Sequence, residues 1–203
     1  MGKVTFLSDK QKSVLEAVGS DNRFSSKFYF TGGTALAEFY LQHRESVDLD
    51  LFAQEKFETK FVGEAVDGWA KKLGFRAKSR YVDPVLIFDM DFGDGSILKV
   101  DFSYYPYKRL QEGEQRCAGI QVDSMLDIGV NKLMALTQRA EVKDFVDLYF
   151  LLNEFTFWDL REGVEKKFKR EIDPYAMAAD FLVVESFEYL PKMVKPLTLE
   201  ELK

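Results

Sequence analysis

A chain of 203 residues that is 46% hydrophobic and 15% aromatic is long and apolar enough to bury one substantial core, which argues against a disordered chain. Its formal net charge of −6 and pI near 5.0 argue against a dedicated non-specific nucleic-acid binder. Cys117 is the single cysteine, so an internal disulfide and a zinc site of several thiolates are both excluded.

The opening segment MGKVTFLSDK lacks the apolar stretch of a secretory leader. Gly2 follows Met1, but Leu7 stands where a myristoylation signal needs Ser or Thr. No apolar run approaches the roughly 20 residues that cross a bilayer. A cytoplasmic protein with no membrane association is the expectation.

Ser8 to Val18 predicts a helix, with Ser8 and Gln11 as a capping box and Val14, Leu15 and Val18 as the apolar stripe. Lys27 to Thr31 predicts a buried strand that stops at Gly32-Gly33. Thr34 to His43 has helical spacing, and Val47 to Phe52 predicts a strand. Phe57 to Leu73 returns to helix and stops at Gly74. Phe75 to Val82, Val85 to Phe92 and Ser96 to Tyr105 predict strands, the last two joined by the turn Gly93-Asp94-Gly95. Arg116 to Val122 predicts one more strand. From Ser124 the period is helical: a first helix runs toward a break near Ala140, Val142 to Leu152 is the second, Thr156 caps a third and Asp173-Pro174 opens a fourth. An α/β core over residues 1–122 and a helical part over 123–203 are expected.

Three sequence features converge on phosphate chemistry. Gly32-Gly33-Thr34 is a strand-to-helix turn, where missing side chains and free N–H groups admit an anion. Asp48 and Asp50 alternate on one strand and therefore share a face, and like charges held together call for a cation. A hard divalent ion such as Mg²⁺ suits all-oxygen ligands. Asp101, set among apolar neighbours with Lys99 and Ser103 on its own face, is a candidate third carboxylate; the alternative is a strand face turned to water, as expected for Asp89 and Asp91. Lys132 and Arg139 fall two helical turns apart and suit phosphates, with Asp144 placed to orient either; the alternative is a solvated pair of helices. The basic runs Lys71 to Arg80 and Lys166 to Arg170 read as solvated faces. His43, the single histidine, reads as a cap or packing residue, and Cys117 as a small strand residue.

Taken together, TGGTALAEFYLQHRESVDLDLF, KVDFSYYP and DIGVNKLMALTQRAEVKDFVDLYFLL resemble the AbiEii/AbiGii toxin family of nucleotidyltransferases, to which the MenT toxins are related. The resemblance implies an α+β polymerase-β-like fold, a mixed sheet flanked by helices and followed by a helical C-terminal part. It also implies Mg²⁺-dependent transfer of a nucleoside monophosphate from an NTP to an acceptor hydroxyl. Carried over by position, Gly32, Gly33 and Thr34 cradle the triphosphate and Asp48, Asp50 and Asp101 bind metal, Asp101 also activating the acceptor. Lys132 contacts the nucleotide phosphates and Asp144 fills the last acidic position. Lys143 stands where the family usually has Arg, which keeps the charge and loses the bidentate fork. Relatives imply RNA (tRNA) or protein as acceptor and a cognate antitoxin as partner. The alternatives are a small-molecule nucleotidyltransferase and a non-catalytic nucleotide-binding module on the same scaffold.

Overall fold

The computed structural model describes residues 5–139 and 141–203; Gly2 and the break expected at Ala140 fall outside them. Ser8 caps helix α1 (Asp9–Ser20) in a reciprocal capping box with Gln11. One turn of helix, α2 (Asn22–Ser25), precedes strand β1 (Phe28–Thr31). The other strands are β2 (Leu49–Ala53), β3 (Arg76–Val82), β4 (Val85–Asp91), β5 (Ile97–Tyr104), β6 (Arg116–Cys117) and β7 (Ile120–Val122). Among the described residues they form one seven-stranded mixed sheet in the order β3-β4-β5-β2-β1-β7-β6.

β1 runs between β2 and β7, antiparallel to the first and parallel to the second, and all four of its residues are buried. An inner strand covered on both faces needs a continuous apolar run, which is what Phe28 to Phe30 supplies. β2 and β5 are parallel neighbours, with Leu49, Leu51, Val100 and Phe102 turned into the core. In that register Asp50 stands beside Asp101. Both project from the opposite face, because side chains alternate along a strand.

Helix α3 (Gly32–Leu36) starts directly at the end of β1, continues as a π-helical turn (Ala37–Leu41) and stops at Gln42 in the left-handed region, φ 51°. This is one helical unit with a change of pitch, where the spacing predicts a single helix; such π turns recur at functional sites. Helix α4 (Thr59–Leu73) ends at Gly74, φ 76°, as expected. The C-terminal region holds α5 (Met125–Leu136), α6 (Val142–Leu151), α7 (Phe157–Phe168), α8 (Pro174–Phe181), a 3₁₀ segment (Leu182–Ser186) and α9 (Leu199–Leu202).

The core is aromatic. Phe24 stacks on Phe61 at 4.6 Å and meets Trp69 edge-on at 5.0 Å, while Phe28 meets Phe102 at 5.2 Å. Each such ring contributes about 2–3 kcal/mol by leaving water. Ile128, Val146, Phe150 and Leu151 from α5 and α6 join this core, and Val130, Leu133, Leu148, Leu160 and Val164 build a second one among the helices. The two sides of Asp123 therefore share apolar side chains. The tail docks on the segment after α3: the Glu45 N–H donates to Lys192 O at 2.9 Å, and the Val194 N–H to His43 O at 2.8 Å.

Three expectations are corrected. Arg116 to Val122 is a tight hairpin, because Ala118 and Gly119 both take positive φ (50° and 91°) and reverse the chain. β2 begins at Leu49 and not at Val47: Val47 (69% exposed) and Asp48 both precede it, so Asp48 reaches the site from the loop before the strand and does not alternate with Asp50 on it. Lys167 is not on a solvated face: it is buried and donates to Asp127 at 2.6 Å, whose other bonds pin the Leu110 and Gln111 N–H groups.

Candidate active site

A cleft of about 750 Å³ opens over the polar face of β2 and β5, walled on the far side by the end of α5. Gly32, Gly33, Asp48, Asp50, Asp101, Lys132 and Arg139 all line it, so segments distant in sequence meet at one place. Thr34 and Asp144 do not line it. The Thr34 hydroxyl is buried, donates to the Asp48 carbonyl and can accept from the Ser46 hydroxyl at 2.9 Å, which clamps the loop before β2. Gln11 completes that clamp, its side-chain amide donating to Ser46 O and Val47 O at 3.1 Å. Asp144 is buried behind Lys132.

The glycine pair makes room for the protein's own side chains. Gly32 has φ +77°, and a Cβ there would sit 2.0 Å from Asp50 Oδ2. A Cβ on Gly33 would sit 2.6 Å from the Arg44 guanidinium. The turn thus brings Asp50 and Arg44 against the start of α3, whose first N–H groups have no partner within the helix. Gly32→Ala places an L side chain in the left-handed region, at a cost of roughly 1–2 kcal/mol, and pushes Asp50 aside. We expect the variant to keep its far-ultraviolet circular dichroism and to lose about 100-fold in any catalytic rate the cleft supports, since displacements near 1 Å cost that much. An unchanged rate would show that this turn does not seat Asp50.

Asp50 sits on the cleft floor. Burial, with the nearby Asp101 charge adding to it, pushes its carboxyl up to about 6. Burial also raises the Asp101 carboxyl, against the pull of Lys99. Lys99 Nζ donates to Asp101 Oδ2 at 2.7 Å and stands 4.0 Å from Asp48 Oδ2. Asp101 Oδ1 is buried and has no partner.

Opposite the carboxylates is a buried ionic network. Asp147, fully buried, accepts from His43 Nε2 at 2.7 Å and from Arg44 Nε and Nη2 at 2.6 and 2.8 Å, and pairs with Lys132 Nζ at 2.5 Å. Lys132 also donates to Asp144 at 2.7 Å, and Asp144 accepts from Arg139 Nε at 2.8 Å. Burial disfavours the charge on both carboxylates, but Lys132 and the surrounding donors overcome it and hold both below the usual range. Burial lowers the His43 imidazole, which therefore serves as a neutral donor. Four cations (Arg44, Lys132, Arg139, Lys143) face three carboxylates (Asp144, Asp147, Glu141), leaving one net positive charge at the cleft wall.

α5 ends at Leu136, so Arg139 does not share a helix face with Lys132 as the spacing implied; Asp144 brings the two together. Sequence reasoning missed Arg44, Asp147 and Lys99. Asp147 is one turn from Asp144 on α6, and Lys99 alternates with Asp101 on β5. Those periodicities were the available signals, though neither names a partner. His43 is a packing residue as expected, and it is also a donor in this network.

The carboxylate set suits a hard cation: all its donors are oxygens, one buried oxygen has no partner, and a lysine ammonium lies against two of the three groups. The three are not drawn to one point, since among the described residues no group of three or more His, Cys, Asp or Glu side chains forms a ready metal cluster.

Known proteins carry the same architecture. The structure of JHP933 from Helicobacter pylori superposes with a TM-score of 0.59 at 22% identity, covering 97% of this chain and 88% of that one. The MenT4 nucleotidyltransferase toxin of Mycobacterium tuberculosis H37Rv gives a TM-score of 0.59 at 17% identity, over 95% and 77% of the two chains. At these identities the likeness is one of fold. In sequence, protein aq_aa25 of Aquifex aeolicus (strain VF5) is 33% identical over 173 residues, which is 82% of this chain and 78% of the relative. The family model for the AbiEii nucleotidyl transferase toxin of type IV toxin–antitoxin systems matches residues 13–202. With that match spanning the sheet, the cleft and the C-terminal helices, the chain belongs to the AbiEii family of toxin nucleotidyltransferases.

Proposed function

We propose that this nucleotidyltransferase moves a nucleoside monophosphate from an NTP to an acceptor hydroxyl on RNA, such as a tRNA, or on a protein, in a Mg²⁺-dependent reaction in the cytoplasm that a cognate antitoxin restrains. The observation that carries the reading is the parallel register of Asp50 with Asp101, which sets carboxylates on one wall of a cleft whose other wall is cationic. Asp48, Asp50 and Asp101 would hold the metal, which when bound neutralises the triphosphate and acidifies a nearby hydroxyl. The start of α3 and the wall formed by Lys132, Arg139 and Lys143 receive the phosphates. Asp101, one of whose oxygens has no hydrogen-bond partner, would accept the proton of the acceptor hydroxyl as it attacks the α-phosphorus in line. Pyrophosphate then departs toward the cationic wall. Asp144 and Asp147 act through Lys132 and Arg44, holding them in place so that little reorganisation remains for the reaction. No helix among the described residues is long and apolar enough to cross a membrane.

Incubation with each α-labelled NTP, Mg²⁺ and either total RNA or total protein tests this directly. A labelled acceptor should form with at least one NTP and vanish with Asp48→Ala. No labelled acceptor with any NTP, together with identical growth on expression of the native and Asp48→Ala proteins, would remove the reading.

A further inference from the structure

We propose that Lys99 is a built-in counter-ion for the carboxylate site, which a divalent cation must displace in order to bind. The inference rests on the metal-dependent reading above and concerns a residue to which that reading gives no role.

Lys99 and Asp101 alternate on β5, so both rise on the cleft side of the sheet. The ammonium donates to Asp101 Oδ2 at 2.7 Å and stands 4.0 Å from Asp48 Oδ2, which places it between two of the three carboxylates. Among the described residues no other Lys or Arg pairs with Asp48 or Asp101. Asp101 is only 9% exposed, and its Oδ1 faces no partner, so the ammonium satisfies half of a carboxylate built for more ligands. Among the described residues Lys99 is the one cation within 4.0 Å of any of these three carboxylates, and Lys132 acts on Asp50 only from across the cleft, so the near shell of the site remains under-neutralised. A divalent ion at the same carboxylates would repel the ammonium and need its space.

The side chain can leave. Its surface is 34% exposed, and the flexible stem lets the charged end reach solvent from a strand that stays in place. Lys99 thus stabilises the fold while no metal is bound and weakens binding of metal that arrives alone. A metal that arrives with a polyanion restores the balance, because the displaced ammonium gains phosphate oxygens as partners. The consequence is a site that loads metal and nucleotide together.

The test is titration of the full-length protein with Mn²⁺ in the absence of nucleotide, followed by calorimetry and by the electron paramagnetic resonance of free Mn²⁺. Lys99→Met should bind Mn²⁺ at least roughly tenfold more tightly than wild type. Lys143→Met, which removes a cation at the rim of the same cleft, should change the affinity less than threefold by comparison. A ¹⁵N spectrum of the lysine ammonium groups supplies a second readout: the Lys99 signal should lose its hydrogen-bonded shift when Mg²⁺ is added. Equal or weaker Mn²⁺ binding by Lys99→Met, or an equal gain in Lys143→Met, would overturn the proposal while leaving the metal site standing. Absence of Mn²⁺ binding in wild type, Lys99→Met and Asp48→Asn alike would overturn the metal reading itself.

Discussion

Asp50→Asn is expected to transfer nucleotide at least about 1,000-fold more slowly than wild type, and to melt at a higher temperature in EDTA at pH 8. The two effects have one cause. Asp50 stands on the cleft floor beside Asp101, and burial pushes its carboxyl up to about 6. A carboxyl raised in the folded state binds its proton more tightly there than in the unfolded chain. Stability therefore falls as pH rises from about 4 toward 6, and above that the ionised form carries the full cost. Asn has the same shape without the charge. Discounted for solvent reaching the cleft, the gain is on the order of 1–2 kcal/mol, or a few degrees in a chain of this size. Near pH 4 the two proteins should melt alike. The activity loss follows because a neutral amide neither neutralises a cation nor lets one neutralise the triphosphate. Thermal scans at both pH values and a rate with the acceptor that the labelling experiment identifies check the pair. A variant less stable than wild type at pH 8 in EDTA would mean that Lys132 and Lys99 outweigh the burial of Asp50.

The second large effect is on stability. Asp147→Asn should lose roughly 3–5 kcal/mol, because it leaves His43, Arg44 and Lys132 buried without the charge they share. For a chain of this length that is on the order of 10 °C in Tm. The sign with pH is opposite to that of Asp50. The surrounding cations and donors hold the Asp147 carboxyl below its usual range. Its contribution is fully present above the unfolded value near 3.9 and is lost only as pH falls through the lower folded value. The gap between wild type and Asp147→Asn should therefore be as wide at pH 5 as at pH 7. The loss that accompanies protonation of buried His43 below about pH 6.5 falls at least as heavily on Asp147→Asn, because the Asp147 charge is what favours the imidazolium, so it cannot narrow the gap. Urea unfolding at several pH values measures the gap. A gap closed by pH 5 would mean that Asp147 titrates as an exposed carboxylate does.

The local structure could be read from the chain because its causes are local. Ser8 with Gln11, Thr156 with its helix and Gly74 at a helix end each satisfy backbone groups a few residues away. The alternation of apolar and polar residues in β2, β4 and β5 similarly marks which face is buried. The hairpin at Ala118 escaped because positive φ at an alanine leaves no compositional sign. The residue types needed for phosphate chemistry, and the resemblance of three segments to the AbiEii family, were likewise present in the sequence alone.

What only the tertiary structure decided is who meets whom. Nothing within the strand of Asp50 names Asp101; the parallel register of β2 and β5 does. Lys132 and Arg139 looked like neighbours on a helix face, yet α5 ends between them, and they are joined by the buried Asp144. Gly33 looked like a place for a phosphate alone, and the packed chain shows Arg44 against it, held by an Asp147 from another helix. The physical reason is the same throughout. Periodicity and capping act over a few residues, whereas the worth of a charge depends on burial and on partners that packing brings from far along the chain.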